Sequence, residues 1–419
     1  MNIFDRKRVQ VEEAQRMLLA ASQPAAVEYV PLGQSINRRL AADVTADTPL
    51  PHFPRSGLDG YALLAEDVRG AVPDQPVELR VIGEAAAGGL FRGRVSPGEA
   101  VRVMTGAAVP EGATAVVMLE QTASFERGGR SFVQIRRPAA LGQHIAPIGE
   151  EIAAGQRLIL RGTRIQPGHI ALLAAFGIVE RVPVYALPKT VVFATGSELL
   201  APADALAAGL IRNSNSPMVC AQALLAGAEA HDGGILPDDP EAAHRSIRAA
   251  LRDYDLVITT GGVSVGDYDA MACLFSHHPD FQLLFNKVAM RPGSPTSAAI
   301  VDGKPVIGLS GNPGACFVGF ELFAKPLLRR MQGAPQAVPV PLEAVLPSSY
   351  DKGAPFDRFV RARLTFRSGA VEAHPLGFGK SGMMVSIPEA DGLIVIPAGE
   401  RGASKGEAVN VIPLGYTSD

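Results

Sequence analysis

The stretch DLVITTGGVSVGDYD, residues 255–269, is a short apolar run followed directly by a glycine-rich polar loop. Its β-branched start is short enough to be a strand that is buried on both faces. The loop combines the polar residues Ser264 and Asp269 with three glycines that let the backbone turn sharply, Gly261, Gly262 and Gly266. Because ligands of open α/β sheets bind beyond the carboxyl ends of the strands, this loop is a candidate binding site.

Two further stretches repeat the arrangement. VVFATGSEL, residues 191–199, places Glu198 after an apolar run, and PVIGLSGNPGA, residues 305–315, places Ser310 and Asn312 after another. Three strand ends with polar, glycine-rich exits favour one shared site over three unrelated turns.

The segment FNKVAMRPGSP adds two cations, Lys287 and Arg291, which can hold phosphate or oxyanion charge. Taken alone, such a pair is more often an ordinary solvated one. Carboxylates beside glycine-rich loops suit Mg²⁺ that bridges a phosphate, and the acids near the strand ends are Glu198, Asp238, Asp239, Asp267 and Asp269. The alternative for Asp238, and equally for Asp239, is that they only cap the helix that Pro240 begins.

Composition narrows the class of protein. The chain has 419 residues, 47% hydrophobic and 19% charged, with a net charge of −3, so it can bury large cores and shows no general preference for nucleic acid or anionic membranes. Its three cysteines are far apart and no His/Cys group has metal-ligand spacing, which argues against a disulfide framework or a structural zinc site. No signal-peptide core or apolar run of ~20 residues occurs, so we expect a soluble cytoplasmic protein.

The order of patterns predicts a multidomain α/β plus all-β fold. An amphipathic helix is expected over residues 9–22, short strands over 77–137, and alternating strands and helices, hence a parallel-type sheet, from residue 183. Five short strands are expected after Gly333. The predicted domains are an N-terminal linking domain (1–45 and 147–182), an inserted β domain (46–146), an α/β domain (183–333) and a C-terminal β domain (334–419).

A set of ordered motifs makes a family recognisable: SGLDGYA, MTGAAVPEGATAVVMLEQT, ATGSEL, ITTGGVSVGDYD, KVAMRPGSP, LSGNPGACFVGFELFAKPLL and SGMM. Together they resemble the molybdopterin molybdenumtransferase family, which is MoeA in bacteria and the E domain of gephyrin in animals. The resemblance extends from the first helix to about Pro413. It implies an elongated N-terminal region with an inserted β domain, an α/β molybdopterin-binding domain and a C-terminal β-barrel-like domain.

The resemblance also implies an activity. The family enzyme is a homodimer that takes adenylylated molybdopterin and molybdate with Mg²⁺, releases AMP and leaves molybdenum on the dithiolene. Other cofactor-biosynthesis proteins are possible partners. The residues that match the family's motifs are, as catalytic groups, Asp59, Thr105, Glu198, Lys287 and Arg291; as substrate-binding groups, Gly261, Gly262, Ser264, Gly266, Ser310, Asn312 and Ser381; and as metal ligands, Asp238, Asp269 and Glu151.

Several positions depart from the family's pattern. RPGSP replaces KPGKP, so that Ser294 removes a cation, and Ser310 replaces a proline. Residues 146–148 replace a basic stretch, and Glu151 replaces an aspartate. Each lost cation is expected to weaken anion capture by ~1–3 kcal/mol if it made a charge-assisted contact. The alternatives to the transferase are therefore a paralogue that binds molybdopterin with little or no turnover, a tungstate-preferring transferase, and a structural scaffold.

Overall fold

The computed structural model describes residues 8–263, 270–367, 369–377, 382–399 and 401–415. The chain forms two compact units, the first from Met1–Ala42, Arg161–Ile170 and Val179–Asp419, the second from Asp43–Leu160 and Ala171–Ile178. The division into four domains stays a prediction. In chain order, the helices are α1 (Val11–Ala20), α2 (Pro167–Ala175), α3 (Asn215–Leu225), α4 (Pro240–Ala250), α5 (Ala270–His277), α6 (Pro313–Gly319) and α7 (Lys325–Met331).

A six-stranded sheet forms the centre of the first unit. Its strands, in spatial order, are Glu229–Leu236, Lys189–Thr195, Leu256–Thr260, Lys304–Leu309, Ser297–Val301 and Gln282–Phe285. The first four are parallel, as the alternating pattern predicts, and the last two are antiparallel. The antiparallel hairpin turns at Asp302 and Gly303, whose φ angles are 51° and 76°. Because Asp-Gly favours this left-handed two-residue turn, the sequence contains a signal for the hairpin.

Helices cover both faces of this sheet. Val192, Leu256 and Ile258 face the cluster that includes α1, α3, α6 and α7. Their neighbours Val191 and Val257 face the opposite cluster, which includes α4 and α5. Since successive side chains of a strand point to opposite faces, a continuous apolar run is what a strand covered on both sides requires. This burial fixes the direction of the strands, and with it the edge at which the glycine-rich loops emerge.

The helical segment from Pro313 to Met331 is interrupted by a π-helical turn, Phe320–Ala324. Glu321 lies in this turn and is 2% exposed. Its Oε2 is 2.7 Å from the Lys325 Nζ, and its Oε1 accepts a hydrogen bond of 2.8 Å from the Gln222 Nε2. Lys325 also donates to the Leu414 carbonyl at 2.5 Å. The turn therefore places a buried ion pair where α3, the α6–α7 segment and the end of the C-terminal domain meet.

The C-terminal part of the first unit is a closed five-stranded barrel. Its strands, in spatial order, are Asp357–Arg367, Ala370–Pro375, Leu342–Val345, Ala408–Pro413 and Gly392–Ile396, and the last pairs with the first. Small and branched side chains, among them Ala362, Ala373 and Ile394, fill its interior. The short strand Met290–Arg291 joins the barrel from outside by pairing in parallel with Asp357 and Arg358. All five strands that the sequence predicts here are present.

Two smaller strand pairs complete the first unit: Val27–Val30 with Val182–Tyr185, and Leu199–Leu200 with Ile211–Arg212.

The second unit contains a six-stranded sheet. In spatial order, its strands are Ala115–Met118, Gly60–Leu63, Glu99–Val103, Val77–Ala85, Arg130–Ile135 and Thr122–Arg127. Two pairs flank it, Val44–Thr45 with Arg157–Ile159 and Arg55–Ser56 with Ile145–Ala146. The expected β-rich region is therefore confirmed. Among the described helices, none has the length and apolarity that crossing a bilayer demands.

Candidate functional site

A cavity of about 860 Å³ lies in the first unit, beyond the carboxyl ends of the parallel strands. Eight of the predicted site residues line it: Glu198, Asp238, Gly261, Gly262, Lys287, Arg291, Ser310 and Asn312. The structure thus brings together residues from three strand ends, from the segment before α4 and from the 285–295 segment. Ser264, Gly266, Asp269 and Ser381 lie outside the described residues, and their predicted roles stay predictions.

The two glycines that follow the Leu256–Thr260 strand are required by backbone geometry and space. Their φ angles are 91° and 62°, in the region that favours glycine. A Cβ on Gly261 would lie 2.5 Å from the Thr195 carbonyl oxygen, and one on Gly262 would lie 2.7 Å from the Thr195 Oγ1. The loop therefore packs directly on the neighbouring strand end, and this contact holds the floor of the cavity together.

The third strand end is fixed by hydrogen bonds. The Ser310 hydroxyl accepts a hydrogen bond of 3.3 Å from the Asn312 backbone N–H. The Asn215 side chain, at the start of α3, donates to the Gly311 carbonyl at 2.8 Å. The serine that stands in place of the family's proline thus stabilises the turn that Asn312-Pro313 uses to begin α6.

The cavity wall is rich in cations. Four line it within the described residues, Arg8, Lys287, Arg291 and Arg358, against two carboxylates, those of Glu198 and Asp238. Arg291 and Arg358 are direct partners on adjacent parallel strands. This excess of positive charge suits a ligand that carries several negative charges.

Two of these cations, Arg8 and Arg358, and the neighbouring Phe356 were not predicted. The Arg8 guanidinium lies over the Phe356 ring, 4.2 Å from its centroid. Arg358 reaches the cavity because its strand pairs with Met290–Arg291. No local sequence pattern marks these residues, since they belong to segments remote from the glycine-rich loops.

The cations Arg8 and Arg358 of the cavity wall partly offset the cation that Ser294 replaces in the family's pattern. Ser294 lines the cavity, and its hydroxyl donates a hydrogen bond of 2.8 Å to the Val288 carbonyl. It therefore stabilises the turn between Lys287 and Arg291 while contributing no charge. Arg8 and Arg358 supply positive charge at the same cavity, so Ser294 alone does not leave it poor in cations.

The two adjacent acids before α4 have different surroundings. Asp239 is the N-cap of α4 and accepts a hydrogen bond of 2.7 Å from the Ala242 backbone N–H. Asp238 instead lines the cavity with Glu198. Over the described ranges, neither of the two cavity carboxylates has a hydrogen-bond or ion-pair partner. Exposed carboxylates of this kind are suited to bind a hard divalent cation.

Asp59, Thr105 and Glu151 belong to the second unit. The Asp59 Oδ1 accepts hydrogen bonds from the Thr105 hydroxyl at 2.7 Å and from its backbone N–H at 2.6 Å. These bonds, the hydroxyl's first, lower the pKa of Asp59 below its ordinary value. Glu151 has a cation partner, because its Oε1 lies 2.7 Å from the Arg55 Nη2. The structure therefore pairs Asp59 with Thr105, whereas metal binding by Glu151 would compete with Arg55.

Replacing Thr105 by valine should raise the pKa of Asp59 towards its ordinary value, because the hydroxyl bond that favours the ionised form is lost. A carboxyl whose pKa is lowered by folding contributes stability above its unfolded pKa, and this contribution is lost as the pH falls through the folded pKa. The pKa can be measured by NMR titration of the Asp59 carboxyl carbon. Thr105→Ser, which keeps the hydroxyl, should retain the lowered pKa; equal shifts in both variants would contradict this assignment.

Comparisons with known proteins were made on sequence and on structure. Three family models match the chain: "MoeA N-terminal region (domain I and II)" over residues 9–177, "Probable molybdopterin binding domain" over 191–330 and "MoeA C-terminal region (domain IV)" over 343–414. The Bacillus subtilis (strain 168) protein named molybdopterin molybdenumtransferase is 42% identical over 409 residues, 97% of this chain and 94% of that protein. A protein of the same name from Staphylococcus aureus (strain MSSA476) is 42% identical over 98% of this chain and 97% of its own length.

A solved structure extends the similarity to the fold. The crystal structure of the molybdopterin biosynthesis moeA protein from Pyrococcus horikoshii OT3 matches with a TM-score of 0.82 and 31% identity, over 97% of this chain and 99% of that one. Identity above 40% across almost the full length, together with the cavity at the predicted strand ends, leads to one conclusion: this chain is a member of the MoeA family of molybdenum cofactor biosynthesis proteins.

Proposed function

We propose that the protein is a molybdopterin molybdenumtransferase, which inserts molybdenum from molybdate into adenylylated molybdopterin and releases AMP. The observation that carries the proposal is the cavity at the carboxyl edge of the sheet, in which cations lie together with carboxylates that have no partner within the described part of the chain. An adenylylated pterin phosphate and molybdate are both anionic, so such a cavity has the charge to bind them together. The full-length similarity to proteins of this name supports the same substrates.

The cavity also fits Mg²⁺. The carboxylates of Glu198 and Asp238 offer oxygen ligands of the kind that this ion prefers. Asp238 and Asp269 are the proposed metal ligands of the first unit, and Glu151 is the proposed metal ligand of the second unit. When bound, Mg²⁺ neutralises negative charge that develops on phosphate oxygens. Lys287 and Arg291, which line the same cavity, are proposed to hold the phosphates and the oxyanion, because their charge offsets that of the substrates.

The remaining residues position the substrates. The backbone of Gly261 and Gly262 allows close approach of the pterin phosphate, and Ser310 and Asn312 present polar groups beside it. Ser264, Gly266 and Ser381 are proposed to bind substrate as well. In the second unit, Asp59, oriented by Thr105, is proposed as a catalytic carboxylate. We further propose a cytoplasmic homodimer, as the family membership suggests, which light scattering of the purified protein tests.

The experiment is a single-turnover assay of the purified protein with adenylylated molybdopterin, Mg²⁺ and molybdate. The proposal expects AMP release, measured by chromatography, and the appearance of cofactor that activates a molybdenum-free acceptor enzyme. EDTA should stop both, and added Mg²⁺ should restore them. Tight pterin binding without AMP release under all these conditions would overturn the transferase assignment.

The two adjacent acids provide a matched pair of variants. Asp238→Asn should slow AMP release by at least about tenfold, because it removes a carboxylate from the cavity wall. Asp239→Asn should leave the rate nearly unchanged, since asparagine is as good an N-cap as aspartate. Asp239→Ala should lower the free energy of unfolding by about 1 kcal/mol, measured with urea, because the bond to Ala242 is lost. If the Asp238→Asn protein released AMP as fast as the Asp239→Asn protein, the reaction would not require the Asp238 carboxylate.

A further inference from the structure

A second group of potential ligands lies on the face of the sheet that α4 and α5 cover. Glu241 and His244 are three residues apart on α4, and His278 directly follows α5. One ligand atom from each of the three lies within 4.8 Å of the other two. The sequence alone does not predict this group, because His244 and His278 are 34 positions apart and no short metal-binding motif contains them. None of the three lines the large cavity.

The imidazoles are held in unusual proximity. The ring centroids of His244 and His278 are 3.8 Å apart, with an interplanar angle of 38°. His244 is 9% exposed, and its Nε2 is buried without a hydrogen bond among the described residues. One metal ion can bind two imidazoles that lie this close together.

An acidic residue accompanies the pair. The Asp280 Oδ2 lies 3.0 Å from the His244 Nε2, although the geometry is not that of a hydrogen bond. A carboxylate that orients a metal-binding imidazole contacts the ring nitrogen that does not hold the metal, so this contact leaves the His244 Nδ1 as the nitrogen for the ion. Among the described residues, the hydrogen bond of the His278 ring is a long one: its Nδ1 accepts from the Asp280 backbone N–H at 3.3 Å. A metal ion would therefore have to displace no more than one weak bond of this ring.

Arg248, a cation on α4, already forms ion pairs with two carboxylates. The Arg248 Nε lies 3.0 Å from the Asp302 Oδ2, and its Nη1 lies 3.4 Å from the Asp280 Oδ2. Arg245 and Arg252 line the adjacent cavity of about 520 Å³ but are exposed to solvent, which screens their charge. Glu241, Asp280 and Asp302 supply three negative charges in the same region, so a divalent cation is not excluded by charge.

We propose that Glu241, His244 and His278 bind one Zn²⁺ ion, with Asp280 as the carboxylate beside His244. Two imidazoles and a carboxylate are ligands of a borderline-soft ion such as Zn²⁺, whereas Mg²⁺ takes oxygen ligands only. Ligand atoms around tetrahedral zinc lie about 3.3 Å apart, given bonds of about 2.0 Å, so small rotations of the exposed Glu241 and the half-buried His278 complete the site. The ion would join α4 to the end of α5 and stabilise the fold.

The test uses the full chain in phosphate-free buffer that contains millimolar Mg²⁺, so that the carboxylates of the large cavity are occupied. Zn²⁺ alone is titrated against a chromogenic indicator, and Co²⁺ is added separately to record the visible bands of a tetrahedral site. The proposal expects one Zn²⁺ per chain, tetrahedral Co²⁺ bands, and a rise in Tm of at least about 2 °C at saturating Zn²⁺.

Three variants assign the ligands. His278→Ala and Glu241→Gln should each weaken Zn²⁺ binding by at least about tenfold and alter the Co²⁺ spectrum, with circular dichroism unchanged. His277→Ala, which alters the preceding histidine, is the matched control and should bind Zn²⁺ as the unaltered chain does. Absence of tetrahedral Co²⁺ bands, or equal loss of Zn²⁺ binding in the His277 and His278 variants, would overturn the proposal.

Discussion

Lys287→Met should reduce the rate of AMP release by about 100-fold, the largest effect on activity that we expect from the described cavity residues. Lys287 lines the same cavity as Glu198 and Asp238, where its ammonium can offset charge that develops on phosphate or molybdate oxygens. Loss of one preorganised group of this kind costs on the order of 10²–10³ in rate. The assay is single-turnover AMP release at saturating adenylylated molybdopterin and molybdate.

The fold should survive this change. The Lys287 carbonyl accepts a hydrogen bond of 3.1 Å from the Val9 backbone N–H, which does not depend on the side chain. Lys287→Arg, which keeps the cation, should retain far more of the rate than Lys287→Met. Lys405→Met, at an exposed lysine, is the control for loss of a cation elsewhere. A Lys287→Met protein that releases AMP at the normal rate would show that the cavity works without this cation.

Glu321→Ala should lower the free energy of unfolding by about 3–5 kcal/mol, the largest effect on stability that we expect. The substitution leaves the Lys325 ammonium, whose side chain is 14% exposed, without its carboxylate partner. Removing one partner of a buried ion pair is costly, because the desolvation of the remaining charge is no longer offset by that partner. The Gln222 Nε2 also loses its shorter hydrogen bond, the one to Glu321 Oε1, and keeps the bond of 3.4 Å to the Phe317 carbonyl. Urea unfolding, followed by circular dichroism, measures the change.

Two controls test whether the cost of Glu321→Ala comes from the burial of the ion pair or from the loss of any ion pair. Glu389→Ala removes a partner of Arg363 from an ion pair of the same 2.7 Å length, but both side chains are half exposed, so the loss should be under about 1 kcal/mol. The double variant Glu321→Leu with Lys325→Met removes both buried charges and should be more stable than Glu321→Ala alone. If the buried and the exposed substitution cost the same, the π-helical turn is not held by this pair.

The parts of the site that the sequence predicted are those with local signals. An apolar run that ends in glycines marks a strand end, and three such ends fix an edge of a parallel sheet. Gly261, Gly262 and Asn312 could therefore be assigned to one cavity from sequence alone, and the structure places all three in its lining. The family motifs added Lys287 and Arg291, which line the same cavity.

What the sequence did not predict depends on contacts between distant segments. Arg8 and Arg358 become cavity residues only through pairing of the N-terminal segment and of the barrel with residues 287–291. His244 and His278 meet because α4 packs beside α5. The π-helical turn at Glu321 has no periodicity signal either, since the apolar pattern continues through it. Each of these features is a property of the tertiary structure.

The pairing of Arg291 with Arg358 makes the stability of this protein a function of its buffer. Like charges directly opposite each other on neighbouring strands are unfavourable, and an anion that binds between them removes the repulsion. Such an anion binds the folded chain and not the unfolded one, so every unfolding free energy rises with its concentration. Values obtained in phosphate and in a zwitterionic buffer are therefore two different quantities, and the difference between them reports the affinity of the cavity for the anion.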